Sequence, residues 1–292
     1  MLHLPAPIFG HQSDQIQECE RLLDEYIDRT KGEKRKDLLR LRDTILKRWN
    51  AYFFAKGNPA TLGPTIFARS SPDDNQKTDG DLLFSCYSSG TRADRDIVGV
   101  ASGARIGICP YCGLRFRKKA KNRSYDRDHV VPRSVFPEFS ILVVNLVSAC
   151  DECNSAKSSK VLDEQGEWLF LHPYFDDFLA RRLIAADVAA DFSGVRPVLH
   201  FRSSPVGLAS AQANRLHRHL KELDVLERMQ EEAGHELQLL LDQQKLHAAD
   251  AREVARGFAA QAEDRLRRRP NDPLGIALAA TAASQLLGEF LQ

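Results

Sequence analysis

The chain has 292 residues, with 41 Lys and Arg against 40 Asp and Glu and a hydrophobic fraction of 43%. These values describe a globular chain with ample material for a core, and they exclude a fibrous, disordered or uniformly basic nucleic-acid-coating protein. They leave room for a local basic patch, because a sum near zero hides opposite charges in different regions.

The start, Met1-Leu2-His3-Leu4-Pro5, lacks a basic stretch followed by an apolar run, so no signal peptide is expected. Ile16, Leu22, Leu23, Tyr26 and Ile27 predict a first helix capped by Ser13 or Asp14. Leu38, Leu39, Leu41, Ile45 and Trp49 predict a second, from near Lys34 to Gly57-Asn58-Pro59. Eight cations in residues 31–48 lie opposite that apolar stripe and read as a solvated face. Residues 57–104, punctuated by Ser71-Pro72-Asp73-Asp74 and Thr78-Asp79-Gly80, are expected to be loops with one or two short strands.

From Glu167 onward a helical region is expected. Leu216, Leu220, Leu223, Leu226 and Met229 recur at helical spacing, and Leu237, Leu240 and Leu241 extend the pattern. A further helix over 248–268 stops at Arg269-Pro270-Asn271-Asp272-Pro273, with Arg265, Arg267, Arg268 and Arg269 complementing its dipole. A last Ala- and Leu-rich helix follows. The longest apolar stretch, residues 274–287, holds Ser284 and Gln285 and is too short to cross a bilayer, so a cytoplasmic chain with no membrane partner is expected. Three regions result: a helical and loop region over 1–104, a chemistry-bearing module over 105–162 and a helical region over 163–292.

The module carries two Cys-x-x-Cys pairs, Cys109-Pro-Tyr-Cys112 and Cys150-Asp-Glu-Cys153. In a reducing compartment such pairs favour metal over disulfide, and two of them complete a tetrahedral four-thiolate shell for zinc. That shell leaves no open position, so the zinc would be structural. Cys19 and Cys86 read as small core residues. Thirty-seven residues separate the pairs, enough to fold something between them. Alternation over Ser124-Tyr125-Asp126-Arg127-Asp128-His129 predicts a short strand, Val143-Val144-Asn145-Leu146-Val147 another, and Asn154-Ser155-Ala156-Lys157 a helix start.

The order Cys-x-x-Cys, Asp128-His129, Asn145-Leu146, Cys-x-x-Cys-Asn154, x-x-Lys157 resembles the HNH endonuclease family. It covers about a fifth of the chain. The resemblance implies an α+β chain with a small zinc-stapled ββα-metal core embedded in mostly α-helical N- and C-terminal regions. The link from His129 to Asn145 departs from the family in lacking glycines, carrying Ser134-Val135-Phe136-Pro137-Glu138-Phe139 instead, and Asn154 stands where a His is also found.

Phosphodiester hydrolysis needs a base for water, a metal facing the phosphate, and charge stabilisation on the leaving oxygen. The unperturbed pKa of a histidine lies near working pH, so His129 fits the base. Asp128, on the opposite side of the strand, and Asn154 are oxygen donors that suit Mg²⁺ or Mn²⁺ while leaving room for water and phosphate. By resemblance, Asn145 orients the loop and His129. Lys157 reads as either a phosphate contact or a solvated helix cation.

Between Arg115 and Arg133 eight cations face only Asp126 and Asp128. Lys118, Lys119, Lys121, Arg123, Arg127 and Arg133 are thus candidates for binding nucleic acid, with DNA preferred. The aromatic run from Trp168 to Phe178 reads as core packing rather than a metal site built on His172, Asp176 and Asp177. The expectation is a metal-dependent endonuclease, by analogy an antiphage effector. Its helical flanks would serve a regulatory partner or a homodimer. The alternative is a non-catalytic zinc module that binds nucleic acid or a protein.

Overall fold

The computed structural model describes residues 12–71, 77–88, 107–116, 126–191, 196–246 and 250–291. They form an α+β fold, mostly helical with two small antiparallel sheets. Among the described residues no helix is long and apolar enough to cross a membrane. They divide into two compact units, one holding 12–71, 77–88, 107, 116 and 126–176, the other 108–115 and 177–291.

The first unit opens with α1 (Gln12–Arg29) and α2 (Gly32–Phe54). Leu38, Leu41, Ile45, Trp49, Tyr52 and Phe53 form the buried stripe of α2, the three-to-four spacing placing them on one face. Gly57 ends the turn that follows with φ of 70°. A Cβ there would lie 2.5 Å from Cδ2 of His172, so the close approach demands glycine. A short helix, α3 (Pro59–Leu62), is capped by Asn58, whose side chain accepts from the amide of Ala60.

Where loops and short strands were expected, Asp79–Ser88 forms a helix, α4, with Asp79 and Asp81 in its first turn and Leu83 and Cys86 buried. β1 (Asp126–His129) then pairs antiparallel with β2 (Leu146–Ala149), His129 opposite Leu146 and Asp128 opposite Val147. The second strand begins later than its apolar run suggests, because Val143–Asn145 closes a 3₁₀ turn first. The helix α5 (Asp151–Lys157) begins earlier than expected. Cys150 takes the extended N-cap position and its carbonyl accepts from the amide of Asn154, so the second Cys pair spans the helix start.

In the second unit, residues 108–115 form a tight loop closed by bonds from the Cys109 amide to the Leu114 carbonyl and from the Gly113 amide to the Cys109 carbonyl. A hairpin, β3 (Ile184–Ala190) and β4 (Pro197–Ser203), stands where only helix was expected. Its signal is the alternation in β4, with Leu199 and Phe201 buried and His200 and Arg202 exposed. The long leucine pattern splits into α6 (Ser210–Glu222) and α7 (Val225–Leu246). Asp224, at φ of 47°, interrupts it. The helices α8 (Ala251–Arg268) and α9 (Pro273–Ala283) are capped by Asp250 and Asp272, and α10 (Leu287–Phe290) closes the chain. Within this unit His219 of α6 is buried and its Nε2 donates to the carbonyl of Tyr111 at 2.8 Å.

Candidate active site

The strand β1 and the helix α5 run in the same direction, and their residues meet in step. Asp126 and Asp128 share one face of the strand, two residues apart. Asn154 and Lys157 share one face of the helix, three apart. The Asn154 amide donates to Asp126 at 3.4 Å, and the Lys157 ammonium lies 3.1–3.2 Å from the carboxylate of Asp128. Lys157 also donates to the carbonyl of His129 at 2.6 Å. Its side chain is wholly buried, at 0% exposed.

On the other face of β1, His129 is buried. Its Nε2 is 2.9 Å from the carbonyl of Ser140. A carbonyl only accepts, so Nε2 carries the proton and Nδ1 keeps its lone pair. Burial holds the imidazole down at about 3, outweighing the Ser140 bond, while the Arg133 and Lys157 charges push the same way. The ring is therefore neutral at ordinary pH. Tyr87 of α4 meets it in a T-shaped contact, centroids 4.6 Å apart.

Asn145 is fully buried and every polar atom of its side chain is used. Its Oδ1 accepts from the Val131 amide at 2.7 Å and from the Tyr52 hydroxyl at 2.8 Å. Its Nδ2 donates to the carbonyls of Val131 and Phe139 at 3.0 and 3.2 Å. Its own carbonyl accepts from Val130. Asn145 thus pins the loop that leaves His129 at both ends. Behind it stands a chain with one direction of donation. The Tyr174 amide donates to Nδ1 of His172, so Nε2–H of His172 faces Tyr52 Oη at 2.9 Å and the hydroxyl proton points to Asn145.

The same loop is gripped by α2 through Glu138, which is buried. Arg48 donates to its carboxylate at 2.9 Å, Thr65 at 2.7 Å, and the Trp49 indole to its carbonyl at 2.7 Å. The glycine-free segment 134–139 is the docking surface for α2, which explains why apolar and acidic residues stand there. Arg48 is accordingly an exception on the α2 face expected to be solvated, and Arg42 is half-buried where it pairs with Asp24; Arg35, Lys36 and Arg40 pair with carboxylates at exposed positions.

The four cysteines of the paired motifs are buried and free of disulfides. Their Sγ atoms all lie within 4.8 Å of one another. Among the described residues this is the cluster of three or more His, Cys, Asp and Glu side chains that could hold a metal ion. A tetrahedral ion at the usual zinc–sulfur distance of about 2.3 Å separates its sulfurs by about 3.8 Å, so the four positions fit with slight contraction. An Arg228 guanidinium nitrogen is 3.6 Å from Cys112 Sγ, a donor suited to a thiolate. His172, by contrast, is engaged with Tyr52, and its amide donates to Asp176 at 2.6 Å within the aromatic packing. Cys19 and Cys86 are buried in the helices α1 and α4.

Arg127 and Arg133 flank the His129 face, Arg133 lying 5.0 Å from the Tyr87 ring. Lys118, Lys119, Lys121 and Arg123 lie outside the described residues.

Residues 109–160 match the family model described as HNH endonuclease. The chain carries an HNH endonuclease domain. It is also 27% identical over 146 residues to Protein ea31 of Escherichia phage lambda, covering 49% of this chain and 46% of that protein. The chain thus spans about half the length of the curated relative it matches. No solved structure matches it. Asp128, His129, Asn145, Asn154, Lys157 and the four cysteines all fall inside the HNH domain. Tyr52, Tyr87 and His172, which sequence reasoning did not connect to the site, lie outside it and reach His129 or Asn145 only through the fold.

Proposed function

We propose that the protein is a metal-dependent endonuclease that hydrolyses phosphodiester bonds, with DNA as the preferred substrate. The observation that carries this reading is the buried His129 with Nε2 committed to a backbone carbonyl, beside Asp128 in an HNH domain. Nδ1 is then the atom that accepts a proton from water as it attacks phosphorus. Because the ring is held by Ser140 on one side and Tyr87 on another, little reorientation accompanies that transfer.

Asp128 and Asn154 would hold the catalytic ion, with Asp126 on the same strand face as a further oxygen donor. An all-oxygen set of this kind suits Mg²⁺ or Mn²⁺. When bound, the ion supplies charge stabilisation at the scissile phosphate and the leaving oxygen. Lys157 fixes the Asp128 carboxylate and the His129 carbonyl from below the site, and Asn145 fixes the loop beyond His129. The four-cysteine cluster would hold a structural Zn²⁺, its closed sulfur shell leaving no place for substrate. Arg127 and Arg133, with the cations of 117–123, would contact the phosphate backbone.

Nicking of supercoiled plasmid in Mg²⁺ or Mn²⁺ tests the reading. The wild-type chain is expected to convert plasmid to open circles, and His129→Ala to leave it intact. Equal nicking by both overturns the assignment of His129. Binding without nicking by the wild-type chain, across metals and across duplex DNA, single-stranded DNA and RNA, selects a non-catalytic zinc module instead.

A further inference from the structure

Arg69 and Phe84 lie outside the HNH domain and have no part in the function proposed above, whereas Arg133 lies inside it and enters there only as a backbone contact. Arg69 precedes α4, Phe84 lies within it, and Arg133 follows β1. The guanidinium carbon of Arg69 is 3.8 Å from the centroid of the Phe84 ring, and that of Arg133 is 4.2 Å from the same centroid. Arg133 is tied down further by a bond from Nη1 to the Phe84 carbonyl at 3.1 Å. It continues to Tyr87, which rests on His129. One line of contacts therefore runs from Arg69 through Phe84, Arg133 and Tyr87 to the candidate base.

Two like charges gathered on one ring repel each other, and Arg133 is partly desolvated as well. Its guanidinium is held below the usual arginine value, by burial first, with the Arg69 charge acting in the same direction. The carboxylate beside Arg69, Asp81, is 3.4 Å away and already accepts from Ser70 and from both the amide and the hydroxyl of Thr78. A guanidinium lying on an aromatic ring is held by its face and turns its N–H edge outward, the geometry that meets phosphate oxygens. An anion bound there would relieve the repulsion that the fold builds in.

We propose that Arg69 and Arg133, stacked on Phe84, form a seat for the phosphodiester backbone that leads the strand to His129. The inference rests on the nuclease reading for its ligand. Phe84 is occupied by the guanidinium groups, so the seat reads backbone and carries no base preference.

Binding of a fluorescein-labelled DNA duplex, followed by anisotropy across a salt series, tests it in the 292-residue chain carrying His129→Ala to prevent cleavage. Added Arg69→Ala is expected to weaken binding roughly fivefold and to lower the slope of log K against log salt by about 0.9, the value of one phosphate contact. Phe84→Leu keeps every charge, and it is expected to weaken binding by roughly threefold through loss of the stack alone. The exposed Arg202, paired with Asp187 on the hairpin, gives the control substitution Arg202→Ala.

Equal affinities and slopes for Arg69→Ala and Arg202→Ala overturn the seat, as does the same loss for one duplex sequence only. Arg69 is exposed, so this arm stands even where Phe84→Leu fails to fold. The two readings fail separately. Plasmid nicking by the chain with His129 intact, alongside unaltered binding in Arg69→Ala, removes the seat and leaves the nuclease. Binding that depends on Arg69 without any nicking keeps the seat and removes the catalysis. Failure to bind any nucleic acid overturns the seat outright.

Discussion

Replacing Lys157 with Met separates two functions that a lysine after Asn154 could serve. Methionine keeps the unbranched stem in the wholly buried slot, and it removes the ammonium from the Asp128 carboxylate and the His129 carbonyl. Taking one partner from a buried, hydrogen-bonded ion pair costs about 3–5 kcal/mol, because the other charge is left without compensation. The loss is expected at full size, since the Asp128 side chain is only 8% exposed and water reaches it poorly. Urea unfolding should therefore show a loss of about 3–5 kcal/mol in Lys157→Met, and a smaller one in Lys157→Gln, which retains a donor. A phosphate-contacting lysine behaves in the opposite way. Its loss leaves stability within about 0.5 kcal/mol, as for an ordinary surface change, and flattens the salt dependence of nucleic-acid binding by about 0.9. Unchanged stability together with that flatter slope would refute the anchoring argument.

Two further outcomes follow from buried groups in the same unit and from the cysteine cluster. Tyr52→Phe removes the acceptor of the His172 Nε2–H and one of two donors to Asn145. A buried donor left alone costs about 1–3 kcal/mol, so chemical denaturation should register a loss of that size, and no measurable loss would contradict the directed chain from Tyr174 to Asn145. Displacing metal from the four-cysteine cluster with a mercurial should release one zinc per chain, read by a colorimetric chelator. In a separate sample stripped of metal by a chelator alone, four thiols should alkylate rapidly. Cys19, whose thiol burial pushes up to about 12, and Cys86, raised by the same cause, should react last. Six thiols of equal reactivity with no zinc release would count against the cluster as a metal site.

The candidate site was legible in the sequence because its residues sit in local motifs. Two Cys-x-x-Cys spacings, an Asp-His dipeptide on a strand and an Asn at the helix start each fix their geometry within a turn or a few residues, so type and spacing alone name a short constellation. The elements around it were less legible. The helix α4 hides among turn-forming residues, and the hairpin β3–β4 hides in an Ala-rich run whose period is visible only in its second strand. The split between α6 and α7 rests on one left-handed residue, Asp224, inside an unbroken leucine pattern.

What the sequence by itself determined is which atoms are available: four thiolates, the hard oxygens of Asp128 and Asn154, and one imidazole beside them. Only the tertiary structure decided how those atoms are held. Tyr52 reaches Asn145 across 93 residues and His172 across 120. Lys157 turns inward to Asp128 rather than outward to solvent, and Glu138 is buried against Arg48. No local period encodes these contacts, because each joins two segments that meet only after both have folded. The protonated nitrogen of His129 was settled in the same way. It depends on a carbonyl eleven residues along the chain, brought under the ring by a loop that α2 and Asn145 hold in place.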